Sequence, residues 1–247
     1  ASGRKCVGIA LSIRRASQHQ SFVVFVQNPR WGLKDFDLIV APKHDGLIGP
    51  NVFITSGALS RVDETTLQKA KDRFTSTFSH LPRPIVACLI GGSSRHHKFT
   101  PEVAASMGKT LRKFAAASGA SLLITPSRRT PVESFGALEL AIGDVPSYIW
   151  RGNGENPYLA FLASSDAILV TADSVSMVSD ACASGKPVYV FPFGKYKSNK
   201  IHKFISYLQQ EGSVRYFEGE IETWSYNQLR DTQAAAREIK RNLALRK

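Results

Sequence analysis

The sequence predicts an α/β protein built on mostly parallel sheets. From Pro84 onward, short apolar runs alternate with segments of helical spacing at intervals that fit βαβ units. The runs are continuous rather than alternating, as in strands buried on both faces. The helical segments open on capping residues close behind the runs.

In chain order, residues 3–16 carry apolar positions at helical spacing, with Arg14 and Arg15 at the C-terminal end. Residues 21–26 and 36–41 read as buried strands, and 51–55 as a weaker one. A helix is expected over 64–79, opening on Asp63-Glu64, and Leu81-Pro82-Arg83-Pro84 reads as a linker. Residues 85–90 form a strand closed by Gly91-Gly92. Thr100 is the N-cap of the next helix and Pro101 its first residue. A strand follows at 121–125. Thr130-Pro131-Val132-Glu133 reads as a capping box opening another helix. Strands at 147–150 and 167–171 precede helices that start near Asn156-Pro157 and Asp173-Ser174. Gly185 stops the latter, and Pro187 leads into a strand at 188–191. A helix over 199–211, a weak strand at 214–217 and a helix over 227–244 complete the chain.

Composition narrows the function. Across 247 residues, 43% hydrophobic and 10% aromatic content excludes intrinsic disorder. No run approaches the ~18 apolar residues of a transmembrane helix, and no secretory leader is visible, so a cytoplasmic, reducing location is expected. Cys6, Cys88 and Cys182 lie far apart, which excludes a disulfide scaffold and any CxxC site. The net charge of +12 points to anionic partners. RNP, KH, helix-turn-helix and zinc signatures are absent, so nucleic acid is not expected among them. Lys195, Lys197, Lys200 and Lys203, with Arg237, Lys240, Arg241, Arg246 and Lys247, form basic clusters suited to an anionic lipid surface or to plain solvation.

In an open parallel sheet, ligands bind beyond the carboxyl ends of the strands. The candidate ligand-binding residues therefore follow the predicted strands: Gly91, Gly92, Ser93 and Ser94; Arg128 and Arg129; Asn153, Glu155 and Asn156; and Asp173, Ser174, Val175, Ser176, Met177 and Asp180. Small residues, hydroxyls, arginines and helix N-termini together describe a phosphate site. Each piece alone also fits a structural role: a tight turn at Gly91-Gly92, a solvated turn at Arg128-Arg129, an N-cap at Asp173-Ser174. Neither GxGxxG nor a Walker A loop is present. His96-His97 lacks a third ligand and reads as an exposed loop, so no metal and no cofactor are expected.

Residues 168–193, with their Gly185-Lys186-Pro187 step, resemble the nucleotide-binding segment of GT-B glycosyltransferases, and 88–94 resemble their Gly-Gly-Ser loop. The resemblance implies that Asp180 stands where that segment carries a ribose-binding Glu. Over nearly the whole chain, SGRK (2–5), QNPR (27–30), FDLIVAPKHD (36–45), SRRTP (127–131), GENPY (154–158), TADSVSMVSDA (171–181) and GKPVYVF (185–191) are similar to the mitochondrial fission ELM (elongated mitochondria) family, in a bacterial-type form.

That similarity implies a GT-B-like fold with two Rossmann-type parallel-sheet domains. The expected boundaries are 1–83 for an incomplete N-terminal domain and 84–226 for a nucleotide-binding domain. Residues 227–247 would be a C-terminal helix packing back on the N-terminal domain. It also implies that a nucleotide-diphosphate sugar binds in an interdomain cleft for metal-independent glycosyl transfer. His44 and Asp45, after the strand at 36–41, are then the visible candidates for the catalytic base. The alternative is a non-catalytic adaptor that recruits division machinery.

Overall fold

The computed structural model of the chain describes residues 1–93, 98–192 and 200–246. The chain folds into two compact units, Ala1–Ser60 with Leu229–Lys247, and Arg61–Gln228. The first contains α1 (Val7–Ala16), entered through a 3₁₀ turn at Arg4–Cys6, then β1 (Val24–Val26), β2 (Leu38–Pro42) and β3 (Val52–Thr55). The second runs α2 (Glu64–Phe78), β4 (Ile85–Ile90), α3 (Pro101–Ser118), β5 (Ser121–Pro126), α4 (Val132–Ile142), β6 (Ser147–Ile149) and α5 (Tyr158–Ser164). It continues with β7 (Ala167–Thr171), α6 (Val175–Ala183), β8 (Val188–Phe191), α7 (Lys200–Gln210) and β9 (Arg215–Tyr216). The last helix, α8 (Asp231–Leu245), belongs to the first unit. Every strand pairing among the described residues of both units is parallel.

In the first unit β2 is the central strand, with β1 and β3 beside it. Its side chains alternate between two layers. Ile39 and Ala41 pack with Val7, Ala10 and Leu11 of α1, whereas Leu38 and Val40 pack with Ala235 of α8. Slipping β2 by one residue would exchange the two sets. The start of α8 is tied to the segment after β3: the N–H groups of Ser56 and Gly57 donate to the Asp231 carboxylate at 3.0 and 2.8 Å. Asp37 gathers Arg14, the Val23 N–H at 2.6 Å and, more distantly, Arg246. Burial alone would raise its pKa, but these partners hold it below the usual carboxylate value.

In the second unit the strand order is β6-β5-β4-β7-β8-β9. Counted from its own first strand this is 3-2-1-4-5-6, the doubly wound nucleotide-binding order, whose direction reverses between β4 and β7. All six residues of β4 are buried, which is why its sequence is a continuous apolar run. Thr100 caps α3 and Pro101 opens it, as the sequence predicts. Where α3 meets α4, a Cβ on Gly108 would come within 2.7 Å of the Leu138 carbonyl oxygen, so glycine permits the close approach. The boundary differs from the sequence reading: residues 61–83, with α2, belong to the second unit. The cause is tertiary. Helix α2 packs on α5, and Phe78 sits 5.3 Å from the Tyr148 ring and 5.5 Å from that of Phe161.

Candidate functional site

The carboxyl ends of β4 and β7 meet at the point where the strand order reverses. Here the structure places a polar knot around Asp173, whose side chain is fully buried. The Thr171 hydroxyl donates to Asp173 Oδ1 at 2.6 Å and accepts from the Gly91 N–H at 2.7 Å. Asp173 Oδ2 accepts from the Gly92 N–H at 3.1 Å and from Arg129 at 2.7 Å. The crowding explains the two glycines. A Cβ on Gly91 would fall 1.8 Å from Asp173 Oδ1, and one on Gly92 2.0 Å from the Arg129 carbonyl oxygen. Close approach therefore selects glycine at both positions, without any need for a left-handed turn.

The capping box expected at Thr130 does not form. Helix α4 begins at Val132 with Pro131 as N-cap and no side-chain cap. The Thr130 hydroxyl is used elsewhere: it donates to the Gly91 carbonyl oxygen at 2.7 Å and accepts from the Ser127 N–H at 2.9 Å. It ties the loop after β5 to the loop after β4. Helix α6 opens on a side-chain cap. Ser174 is its N-cap and accepts from the Met177 N–H, while Asp173 turns back into the knot. The first-turn N–H groups of Val175 and Ser176 have no acceptor within the helix.

Beside the knot opens a cleft of about 740 Å³. Its floor is the end of β4, Leu89 and Ile90, with Thr125, Pro126, Ser127 and Arg128 of the β5 end. One wall is the face of α4 that carries Val132, Phe135, Gly136 and Glu139. The segment after β6 and the starts of α5 and α6 complete the lining with Trp150, Arg151, Gly152, Asn156, Tyr158 and Met177. The Trp150 indole is fixed by donating to the Asn153 carbonyl oxygen at 2.8 Å. Tyr158 donates to Asp180 Oδ2 at 3.1 Å. Burial, with the Asp180 carboxylate beside it, pushes the Tyr158 hydroxyl well above its ordinary pKa, so it remains a neutral donor.

The sequence candidates separate into groups. Arg128, Asn156 and Met177 line the cleft. Gly91, Gly92, Arg129 and Asp173 form the knot. Ser174, Val175, Ser176 and Asp180 share α6 or its cap. Ser93 accepts from the Phe99 N–H at 3.1 Å. Glu155 forms an exposed ion pair with Arg73 at 2.8 Å. His44 and Asp45 lie in a 3₁₀ turn at the carboxyl end of β2, in the first unit. Ser94, His96, His97, Lys195 and Lys197 lie outside the described residues.

Sequence reasoning missed Phe135, Gly136, Glu139, Trp150 and Tyr158. The signal available was the spacing of 132, 136 and 139, one face of a helix with a glycine inside it. Cys88 and Cys182 are buried, and burial raises both thiols, Cys88 to about 12, so neither is a nucleophile. Among the described residues no cluster of three metal-ligating side chains occurs, and no helix is long and apolar enough to cross a membrane.

The sequence profile of the family described as Mitochondrial fission ELM1 matches residues 1–243. This chain belongs to that family. It is 38% identical to the mitochondrial fission protein ELM1 of Arabidopsis thaliana over 273 aligned positions, covering all of this chain. The chain spans 64% of that relative's length. Among solved structures, the UDP-GlcNAc 2-epimerase of Methanocaldococcus jannaschii matches with a TM-score of 0.63 at 11% identity, over 97% of this chain and 76% of that one. The UDP-GlcNAc 2-epimerase of Neisseria meningitidis, solved bound to UDP-GlcNAc, matches with a TM-score of 0.50 at 13% identity, over 94% and 64%. At such identities the likeness is one of fold, and this family member has the GT-B-like one.

Proposed function

We propose that this ELM1-family chain binds a nucleotide-diphosphate sugar at the carboxyl edge of its six-stranded sheet. One observation carries the reading: the cleft opens at the reversal point of a 3-2-1-4-5-6 sheet and is lined by Arg128 and by Met177, in the first turn of α6. In this reading the diphosphate lies against the N–H groups of Val175 and Ser176, where the helix terminus favours an anion. Arg128 supplies donors in fork geometry. Asp180, held by Tyr158, accepts from the ribose hydroxyls. Support also comes from the neighbour solved bound to UDP-GlcNAc.

If sugar transfer follows, an acceptor oxygen forms the new bond to the anomeric carbon and the bond to the diphosphate breaks. Arg128 and the α6 terminus stabilise the charge that develops on the departing diphosphate. His44 and Asp45 are the proposed acceptors of the proton lost by the attacking oxygen.

A second reading, a non-catalytic adaptor in organelle division, is favoured by the knot. Asp173 already occupies Arg129 and the Gly92 N–H, two donors a phosphate would otherwise use. Calorimetric titration with a panel of UDP-, GDP-, ADP- and CDP-sugars separates the two. Saturable binding of at least one, at least about tenfold tighter than its free monosaccharide, is expected if charge-assisted hydrogen bonds to the diphosphate contribute. No binding across the panel selects the adaptor. Equal flotation with neutral and anionic liposomes would remove the anionic-lipid role offered by the basic clusters of the sequence.

A further inference from the structure

The α4 wall of the cleft has two features the fold does not explain. The first is Gly136, in the interior of α4. Glycine is among the least favourable residues for a helix interior. It is retained where a Cβ would collide with something or where the backbone must adopt positive φ. Neither applies: a Cβ at Gly136 would have no neighbouring atom within 4 Å outside its own helix turn. The open space it faces is the cleft.

The second feature is one helical turn further along. Glu139 Oε1 is buried and accepts no hydrogen bond. It lies 2.9 Å from Arg151 Nε, an ionic contact whose N–H is not directed at the oxygen. Its charge is paired but its hydrogen-bonding capacity is unused, and it belongs to a cleft-lining residue. Trp150, the chain neighbour of Arg151, lines the same cleft and offers a fixed aromatic surface. A smooth helix wall, an aromatic plane and a donor–acceptor pair side by side are what a flat heterocycle with hydrogen-bonding edges requires.

We propose that Glu139 and Arg151, with Gly136 and Trp150 beside them, form a base-reading subsite that selects a keto–imino edge, the edge shared by uracil and guanine. The inference rests on the nucleotide-sugar reading of the cleft. Arginine donates to the ring carbonyl, and the carboxylate accepts from the adjacent ring N–H. Adenine and cytosine carry an amino group in place of that carbonyl and a lone pair in place of that N–H, so both contacts become like against like. In guanine the second carboxylate oxygen also accepts from the exocyclic amino group. Gly136 lets the ring lie against the helix, where any side chain would stand in its plane.

The test is calorimetric titration of the chain with UDP, GDP, CDP and ADP, in wild type, Glu139→Gln and Gly136→Leu. Wild type should bind UDP and GDP at least about tenfold tighter than CDP and ADP, the discrimination a reading pair of this kind provides. Glu139→Gln preserves volume but presents an amide, and should reduce that preference to within about threefold. Gly136→Leu should keep the circular dichroism spectrum of wild type and melt at or above its temperature, while weakening all four nucleotides at least about tenfold. Wild-type binding without base preference, an unchanged preference in Glu139→Gln, or wild-type affinity in Gly136→Leu would overturn the subsite and leave the nucleotide-sugar reading standing. No binding of any nucleoside diphosphate to wild type would overturn both.

Discussion

Gly91 and Gly92 in the knot and Gly136 on the wall of the cleft beside it have opposite surroundings. At Gly91 and Gly92 a single added carbon would collide with protein atoms at 1.8 and 2.0 Å. At Gly136 it would meet nothing within 4 Å. The first pair is required by the chain itself, because the Asp173 carboxylate and the Arg129 backbone pack where a side chain would stand. The third is not. What distinguishes Gly136 is that the space left beside it belongs to the cleft, where the proposed base would lie. A glycine pair after a strand is therefore weak evidence for a phosphate loop, while a helix glycine facing an open wall is stronger evidence for a ligand.

The contrast can be broken most directly at Gly91. Gly91→Ala should destabilise the second unit by about 3 kcal/mol or more, because overpacking a rigid, hydrogen-bonded carboxylate leaves no easy relaxation. Urea denaturation followed by tryptophan fluorescence would measure it. A tolerated Gly91→Ala would mean that the knot is looser than its distances indicate. Asp173→Ala should cost about 1–3 kcal/mol, since it leaves the buried Gly92 N–H without its acceptor, while the partly exposed Arg129 turns to water. Gly136→Ala should do the reverse and raise stability by up to about 1 kcal/mol, the usual difference between these residues inside a helix. Destabilisation there would erase the distinction between the two kinds of glycine.

The first unit sharpens the comparison at smaller amplitude. Asp37 has a tie of the same type as Asp173: an arginine and a backbone N–H on one carboxylate. Its pKa is lower in the folded state than the ordinary 3.8. The ionised form therefore favours folding, and its contribution is fully present above the unfolded value. That contribution is lost as pH falls through the lowered folded value. Thermal melts between roughly pH 5 and pH 2 should show Asp37→Asn losing less stability on acidification than wild type. Parallel curves would remove the tie.

The residues made local structure legible and left long-range chemistry hidden. Thr100-Pro101 placed the start of α3 because capping and the proline constraint act within one turn. The continuous run at 85–90 marked a strand covered on both faces. Thr130 misled because its hydroxyl prefers the Gly91 carbonyl, which is distant in sequence, to its own helix. The unit boundary was hidden because α2 belongs with α5 through rings that meet only in three dimensions. Arg128 was legible as a cleft residue from its place after a strand. Glu139 and Gly136 were not, because a charge and a glycine on a helix look like ordinary solvent-facing positions until the cleft beside them is seen.

The central claim, a diphosphate-binding cleft, is tested most directly by comparing UDP with uridine in wild type and Arg128→Ala. Arg128 lines the cleft at the end of β5. Its loss removes charge-assisted hydrogen bonds worth about 1.5–3 kcal/mol, so UDP affinity should fall at least about tenfold, while uridine affinity should change by less than about threefold. Equal losses for the two ligands, or UDP affinity unchanged in Arg128→Ala, would contradict the account.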